Sequence, residues 1–123
     1  MNKVDVRKLS DQALVNQFRE YALDQESALL DSDTATYNRL YDKMKKIDLE
    51  LRARGPQARR ALLVLLDDPN LRVRYEAAMR CAAVDRNHAL TALNEIVASN
   101  QMPEAGWAGM ALSNLEDGIF NPS

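Results

Sequence analysis

The stretch Thr36-Tyr-Asn-Arg-Leu-Tyr-Asp-Lys-Met-Lys-Lys-Ile-Asp-Leu-Glu-Leu-Arg-Ala-Arg-Gly-Pro56 decides the fold. Tyr37, Leu40, Tyr41, Met44, Ile47 and Leu51 recur at steps of three and four, one stripe along a 3.6-residue helix. Asn38, Arg39, Asp42, Lys43, Lys45 and Lys46 occupy the opposite side. Gly55 suits the left-handed position just past a helix end, and Pro56 the first turn of the next helix.

On the N-terminal side, Ser10 is placed to cap a helix through the backbone donors of Asp11 to Ala13. Its apolar face reads Leu14, Phe18 and Ala22 at fourfold spacing, with Val15 and Tyr21 beside it, and continues past a break near Asp24 to Leu29 and Leu30. The turn Asp31-Ser32-Asp33-Thr34 then leads into the long helix. On the C-terminal side the elements shorten. Gln57 to Leu66 reads as a helix with Ala58, Leu62, Leu65 and Leu66 inward, ended by Asp67-Asp68-Pro69-Asn70. Leu71 to Val84 follows, and Asn87 is placed to cap a fifth helix bearing Leu90, Leu93, Ile96 and Val97. Asn100 closes that helix, Pro103 opens a sixth ending near Leu115, and Ile119 and Phe120 of the tail 116–123 are expected to fold back on the body. The expected architecture is all-α: about six helices in antiparallel pairs, in one domain over 1–123. The leading pair covers 10–54, and two repeat-like pairs cover 56–84 and 87–115.

Those two later pairs match under a shift of 31 residues. Ala58 meets Ala89, Leu62 meets Leu93, Leu65 meets Ile96, Leu66 meets Val97, Ala77 meets Ala108 and Met79 meets Met110. A self-similar helix–turn–helix unit of this length is the sign of an α-solenoid.

Composition agrees. The chain has 123 residues, 46% hydrophobic and 28% charged, with four glycines and four prolines (56, 69, 103 and 122) that leave long helix-forming runs intact. A net charge of −2 gives no global case for nucleic acid or anionic membrane. One cysteine, Cys81, permits no internal disulfide and fits a reducing compartment. The N-terminus has no apolar signal segment, and no window reaches the ~20 apolar residues of a bilayer span. The expected address is cytoplasmic.

Chemistry is sparse. The lone histidine, His88, falls in the first turn of the fifth helix, where a capping or surface role outweighs catalysis. Cys81, on the same helical side as Ala77, Ala78 and Val84, reads as a core residue. One Cys and one His make no zinc set, and Asp31-Ser-Asp-Thr34 lacks the Gly and closing Glu of a calcium loop. The four glycines (55, 106, 109 and 118) form no phosphate loop. No catalytic, cofactor or metal residues are expected, and the chain is not expected to be an enzyme. Gly106 and Gly109 sit inside the sixth helix, a cost that a close helix–helix contact is expected to offset.

The segment Ala61-Leu-Leu-Val-Leu-Leu-Asp-Asp-Pro-Asn-Leu-Arg-Val-Arg-Tyr-Glu-Ala-Ala78 resembles a HEAT-type repeat. Its marks are an apolar first helix, an acidic turn and a small-residue second helix. The resemblance implies that Asp67 or Asp68 and Arg74 hold the turn and bridge neighbouring repeats. The chain as a whole resembles a family of small bacterial proteins of unknown function with a HEAT-like helical fold. Leu14-Val-Asn-Gln-Phe18, Tyr37-Asn-Arg-Leu-Tyr-Asp-Lys-Met44, Val73-Arg-Tyr-Glu-Ala-Ala78 and Leu115-Glu-Asp-Gly-Ile-Phe-Asn-Pro122 carry the likeness. Some small helical-repeat proteins of this kind neutralise toxins, an analogy at fold level only.

Charge supplies the remaining candidate. Arg52, Arg54, Arg59 and Arg60 cluster at one helix junction, and Arg72, Arg74, Arg80 and Arg86 decorate the fourth helix. In a HEAT-like stack the second helix of each pair lines the concave surface, so Arg72, Tyr75, Glu76, Met79 and Arg80 are expected there, with Trp107 as an aromatic anchor or core residue. The expected function is a non-enzymatic protein-binding module, immunity-like or adaptor-like, that occludes a partner's site. A nucleic-acid-binding repeat is the alternative. A monomer or weak homodimer is expected, with no membrane contact.

Overall fold

The structure, a computed structural model, describes residues 5–118 and residue 122. Ile119 and Phe120, expected to fold back on the body, lie outside the described residues. Among the described residues there is no strand: a 3₁₀ turn Val6–Lys8 precedes α1 (Asp11–Leu30), α2 (Thr34–Arg54) and the single-turn α3 (Pro56–Arg59). A 3₁₀ segment, Arg60–Asp67, leads on to α4 (Leu71–Cys81), α5 (Arg86–Ala98) and α6 (Glu104–Glu116). Residues 1–61 and 62–123 form two compact units.

In the first unit the helix ends follow their caps. Ser10 Oγ accepts from the Ala13 N–H at 3.1 Å, and α1 then runs unbroken through Asp24. Asp33 Oδ1 accepts from the Thr36 N–H at 3.1 Å and opens α2. Gly55 closes α2 with φ +117°, a conformation open to glycine and strained for other residues, and Pro56 starts α3. A three-residue turn joins α1 to α2, so the two run antiparallel. Leu14, Val15, Phe18 and Ala22 bury against Leu40, Met44, Ile47 and Leu51. Each large side chain so buried contributes roughly 1.5–3 kcal/mol. Tyr41, counted in the α2 stripe on periodicity, sits at its edge and stays 48% exposed.

From the start of α3 the chain departs further from expectation. Gln57–Leu66, expected as an ordinary helix, makes one α-turn and then tightens to 3₁₀. That winding sets i and i+3 in line and brings Leu62 and Leu65 to one buried side, with Val64 left outside. Helix α4 stops at Cys81 rather than Val84, because the Val84 and Asp85 N–H groups both turn back onto the Cys81 carbonyl. Asp85, not Asn87, caps α5: its Oδ1 accepts from the His88 N–H at 3.1 Å. Helix α5 packs on both α4 and α6. Cys81 is buried, as its neighbours Ala77 and Ala78 imply.

The glycines of α6 do not mark a tight helix contact. A Cβ built on Gly109 would meet Val97 Cγ2 at 3.9 Å, ordinary van der Waals contact. One built on Gly106 would meet the end of the exposed Met102 side chain at 3.2 Å.

Candidate functional site

The residues expected to line a concave surface separate into two groups. Arg72, at 0% exposure, and Glu76, at 5%, are inside the protein. Tyr75, Met79, Arg80 and Trp107 are half-buried. Arg72 and Glu76 are therefore not available to a partner, which corrects the expectation for both.

What buries Arg72 is a charge network that the α4 sequence supplies in part. Arg72, Glu76 and Arg80 stand at i, i+4 and i+8, on one side of the helix. Arg72 Nη2 meets Glu76 Oε2 at 3.0 Å, and Arg80 Nη1 donates to the other oxygen, Oε1, at 2.7 Å. The first turn of α6 brings a second carboxylate, Glu104, itself 6% exposed, to 3.8 Å from Arg72 Nη1. Two cations and two carboxylates thus neutralise one another in a place where an uncompensated charge would be expensive.

The same arginine supports an aromatic pair. Its guanidinium carbon stands 4.7 Å from the Trp107 ring centroid. Tyr75 and Trp107 lie 5.6 Å apart with planes tilted by 47°. An aromatic ring in contact with both a buried cation and a second ring has little rotamer freedom to lose. Trp107 is thus neither wholly core nor a loose surface residue.

Elsewhere the expected arginine cluster is divided. Arg54 donates to Glu50 at 2.7 Å, to Asp11 at 2.9 Å and to the Val6 carbonyl at 3.0 Å, which pins the N-terminal turn to α2. Those carboxylates hold its guanidinium pKa above the usual value. Arg59, also buried, reaches Asp48 at 3.6 Å. Arg52 and Arg60 remain exposed. The HEAT-type pairing of Arg74 with the acidic turn is not formed: among the described residues no ion pair joins Arg74 to Asp67 or Asp68. Asp68 Oδ1 instead accepts from the Asn70 N–H at 2.9 Å, and Asn70 caps α4 through the Val73 N–H at 3.0 Å.

No set of three or more His, Cys, Asp or Glu side chains converges as metal ligands among the described residues. His88 is partly exposed, with Nδ1 3.8 Å from Asp85 Oδ2. A hollow of about 280 Å³ opens at the α1–α2 turn, lined by Ala28, Leu29, Ser32, Asp33, Thr34, Tyr37 and Asn38. Its one carboxylate, Asp33, is the α2 cap, and its hydrogen bonds with Thr36 hold its pKa below the usual carboxylate value. A carboxylate held as the anion is poorly suited to donate a proton near neutral pH.

No helix among the described residues is long and apolar enough to cross a membrane. A solved structure, the protein RPA1889 from Rhodopseudomonas palustris CGA009, is similar to this chain at 40% identity, with a TM-score of 0.94 over 98% of this chain and 100% of that one. No curated protein matches the chain. Residues 12–116 match the family described as a domain of unknown function, DUF2019. The chain belongs to that family, bacterial and all-α, as the sequence resemblance implied.

Proposed function

We propose that the protein is a non-enzymatic binding module for another protein, and that Trp107 with Tyr75 is its anchor. The observation that carries this reading is the arrangement of Trp107: half-buried, with the buried Arg72 guanidinium at 4.7 Å and Tyr75 at 5.6 Å. Aromatic anchors fixed before binding are the side chains that dominate interface energy. Met79 and Arg80 are half-buried, and Met110, one turn along α6 from Trp107, is 65% exposed. They supply an adaptable apolar and polar rim. Arg72, Glu76 and Glu104 serve this surface from behind, by holding it in place.

The module works by occlusion, as an immunity-like protein or an adaptor, in the cytoplasm, the compartment that a single cysteine fits. Its helical pairs read as HEAT-like units, supported by the 31-residue correspondence of Leu62 with Leu93 and Leu65 with Ile96. The nucleic-acid alternative is the weaker one, because Glu76 engages both Arg72 and Arg80, two of the cations it would assign to phosphates.

Affinity capture from a native lysate, with nuclease treatment and mass spectrometry, tests the reading. One stoichiometric protein is expected, retained after nuclease and released by Met110→Glu or Tyr75→Ala in a chain that keeps its helical circular dichroism. Charge reversal of Arg72 is unsuitable, since it would report folding rather than binding. Nucleic acid alone, or no partner, would overturn the reading.

A further inference from the structure

The outer face of α2 carries charge that the sequence conceals. Along the chain, acids and bases alternate in this helix, and it reads as a balanced solvated face. In the structure Asp48 is turned to Arg59 at 3.6 Å and Glu50 to Arg54 at 2.7 Å. Of the three α2 carboxylates only Asp42 remains fully exposed, against exposed Arg39, Lys43, Lys45, Lys46 and Arg52. One flank of that face is organised. Tyr41, Lys45, Leu49 and Arg52 follow at steps of four, four and three, so they form one stripe about 16 Å long at 1.5 Å per residue. Tyr41 is 48% exposed and Leu49 49% exposed. Among the described residues no ion pair engages Lys45 or Arg52.

We infer that this stripe is a second docking surface, and that its occupant is an acidic amphipathic helix of a partner protein. The occupant's chemistry follows from the stripe. Lys45 and Arg52 call for carboxylates about two turns apart, and Tyr41 and Leu49 call for apolar side chains interleaved with them, the pattern of helix-on-helix recognition. The stripe contains no carboxylate of its own, so a second copy presenting the same stripe would set cation against cation. A phosphate backbone would satisfy Lys45 and Arg52 but would leave Leu49 against a charged strand. The surface is independent of the Trp107 anchor, which stands on the other compact unit. A protein that carries both is an adaptor and not only a plug.

The test is selection of a phage library displaying 20-residue helical peptides with one randomised face against the full chain, alongside a fluorescent 20-base-pair DNA duplex. The double variant Lys45→Glu/Arg52→Glu is the comparator, and being wholly on the surface it should keep its helical circular dichroism. The expected result is enrichment of peptides alternating Glu or Asp with Leu or Phe, whose affinity drops roughly tenfold or more in the double variant. Tyr41→Ala/Leu49→Ala should weaken them while leaving their salt dependence unchanged. Failure to enrich, enrichment of cationic peptides, or peptides held equally by the double variant would overturn the inference. So would salt-steep DNA binding lost in that variant, which would assign the stripe to phosphates. None of these outcomes bears on capture through Met110 and Tyr75, so the two readings stand or fall separately.

Discussion

The two units, residues 1–61 and residues 62–123, are both helical among their described residues, yet they treat charge in opposite ways. The first unit holds twelve Lys and Arg with ten Asp and Glu, including every lysine of the chain; the second holds four and eight, with no lysine at all. In the first, the core of α1 and α2 is nearly all apolar and most charges stand outside it, with Arg59 the one buried arginine among that unit's described residues. In the second, two carboxylates and an arginine are built into the interior. The difference teaches where each unit's stability comes from. Long helices with large apolar side chains need little more than burial. Shorter helices with Ala at the contacts bury less area per turn, and here the network of Arg72, Glu76 and Glu104 occupies the space between α4 and α6.

The strongest way to break this comparison is Arg72→Ala. It leaves two buried carboxylates, Glu76 and Glu104, with Arg80 on Glu76 as the one remaining cation of the network, and a loss of about 3–5 kcal/mol in urea unfolding is expected. Replacing all three residues with apolar ones of similar volume should recover most of that loss. A cost below about 1 kcal/mol for Arg72→Ala would mean that the network is solvated and that the two units do not differ in kind. For the first unit the matching test is Met44→Ala, with an expected cost of about 2–5 kcal/mol from the cavity and lost apolar burial. Recovery by Met44→Leu, a near-isosteric change, would show that apolar volume is what matters there.

Smaller effects sharpen the contrast. Gly109→Ala should raise stability by about 0.5–1 kcal/mol, since the added methyl meets Val97 at ordinary contact distance and the helix gains a better former. A loss instead would show that α5 and α6 approach more closely than the 3.9 Å contact allows. Asp33 gives the smallest effect, and its signature is pH dependence. Its pKa is lowered in the folded chain by its hydrogen bonds with Thr36, so its contribution is present above the ordinary carboxylate pKa of about 3.9 and fades as pH falls through the lower folded value. The stability difference between the wild type and Asp33→Ala, followed by thermal melts from pH 7 to pH 2, should be constant at first and then shrink in acid. A difference that grows in acid would contradict the cap.

Most helix ends were legible because they rest on local chemistry. Ser10, Gly55-Pro56 and Pro103 mark boundaries within a residue of where the helices start or stop. The 3₁₀ winding of Arg60–Asp67 was not legible, since Leu62, Leu65 and Leu66 satisfy a period of 3.0 as well as one of 3.6. Nor was the burial of Arg72. The i, i+4, i+8 run of Arg72, Glu76 and Arg80 was a signal open to sequence reading, but such runs usually lie on solvated faces. The deciding partner, Glu104, comes from a helix 32 residues away in the chain, and no local pattern points to it. The α2 stripe was hidden for the converse reason. Asp48 and Glu50 seem to balance the lysines until the structure shows them turned to Arg59 and Arg54.

Cys81, the one thiol in the chain, lies at 0% exposure in the last turn of α4. Sealed there, it is a clock. An alkylating reagent in solution can reach it only when the second unit opens, so its rate of labelling under native conditions counts those openings one molecule at a time. At low reagent the rate would track the equilibrium population of the opened form, and at high reagent the opening rate itself. The protein thus carries, without any added probe, a reporter of how often the unit that houses Arg72 and Trp107 comes apart, and of whether a bound partner keeps it closed.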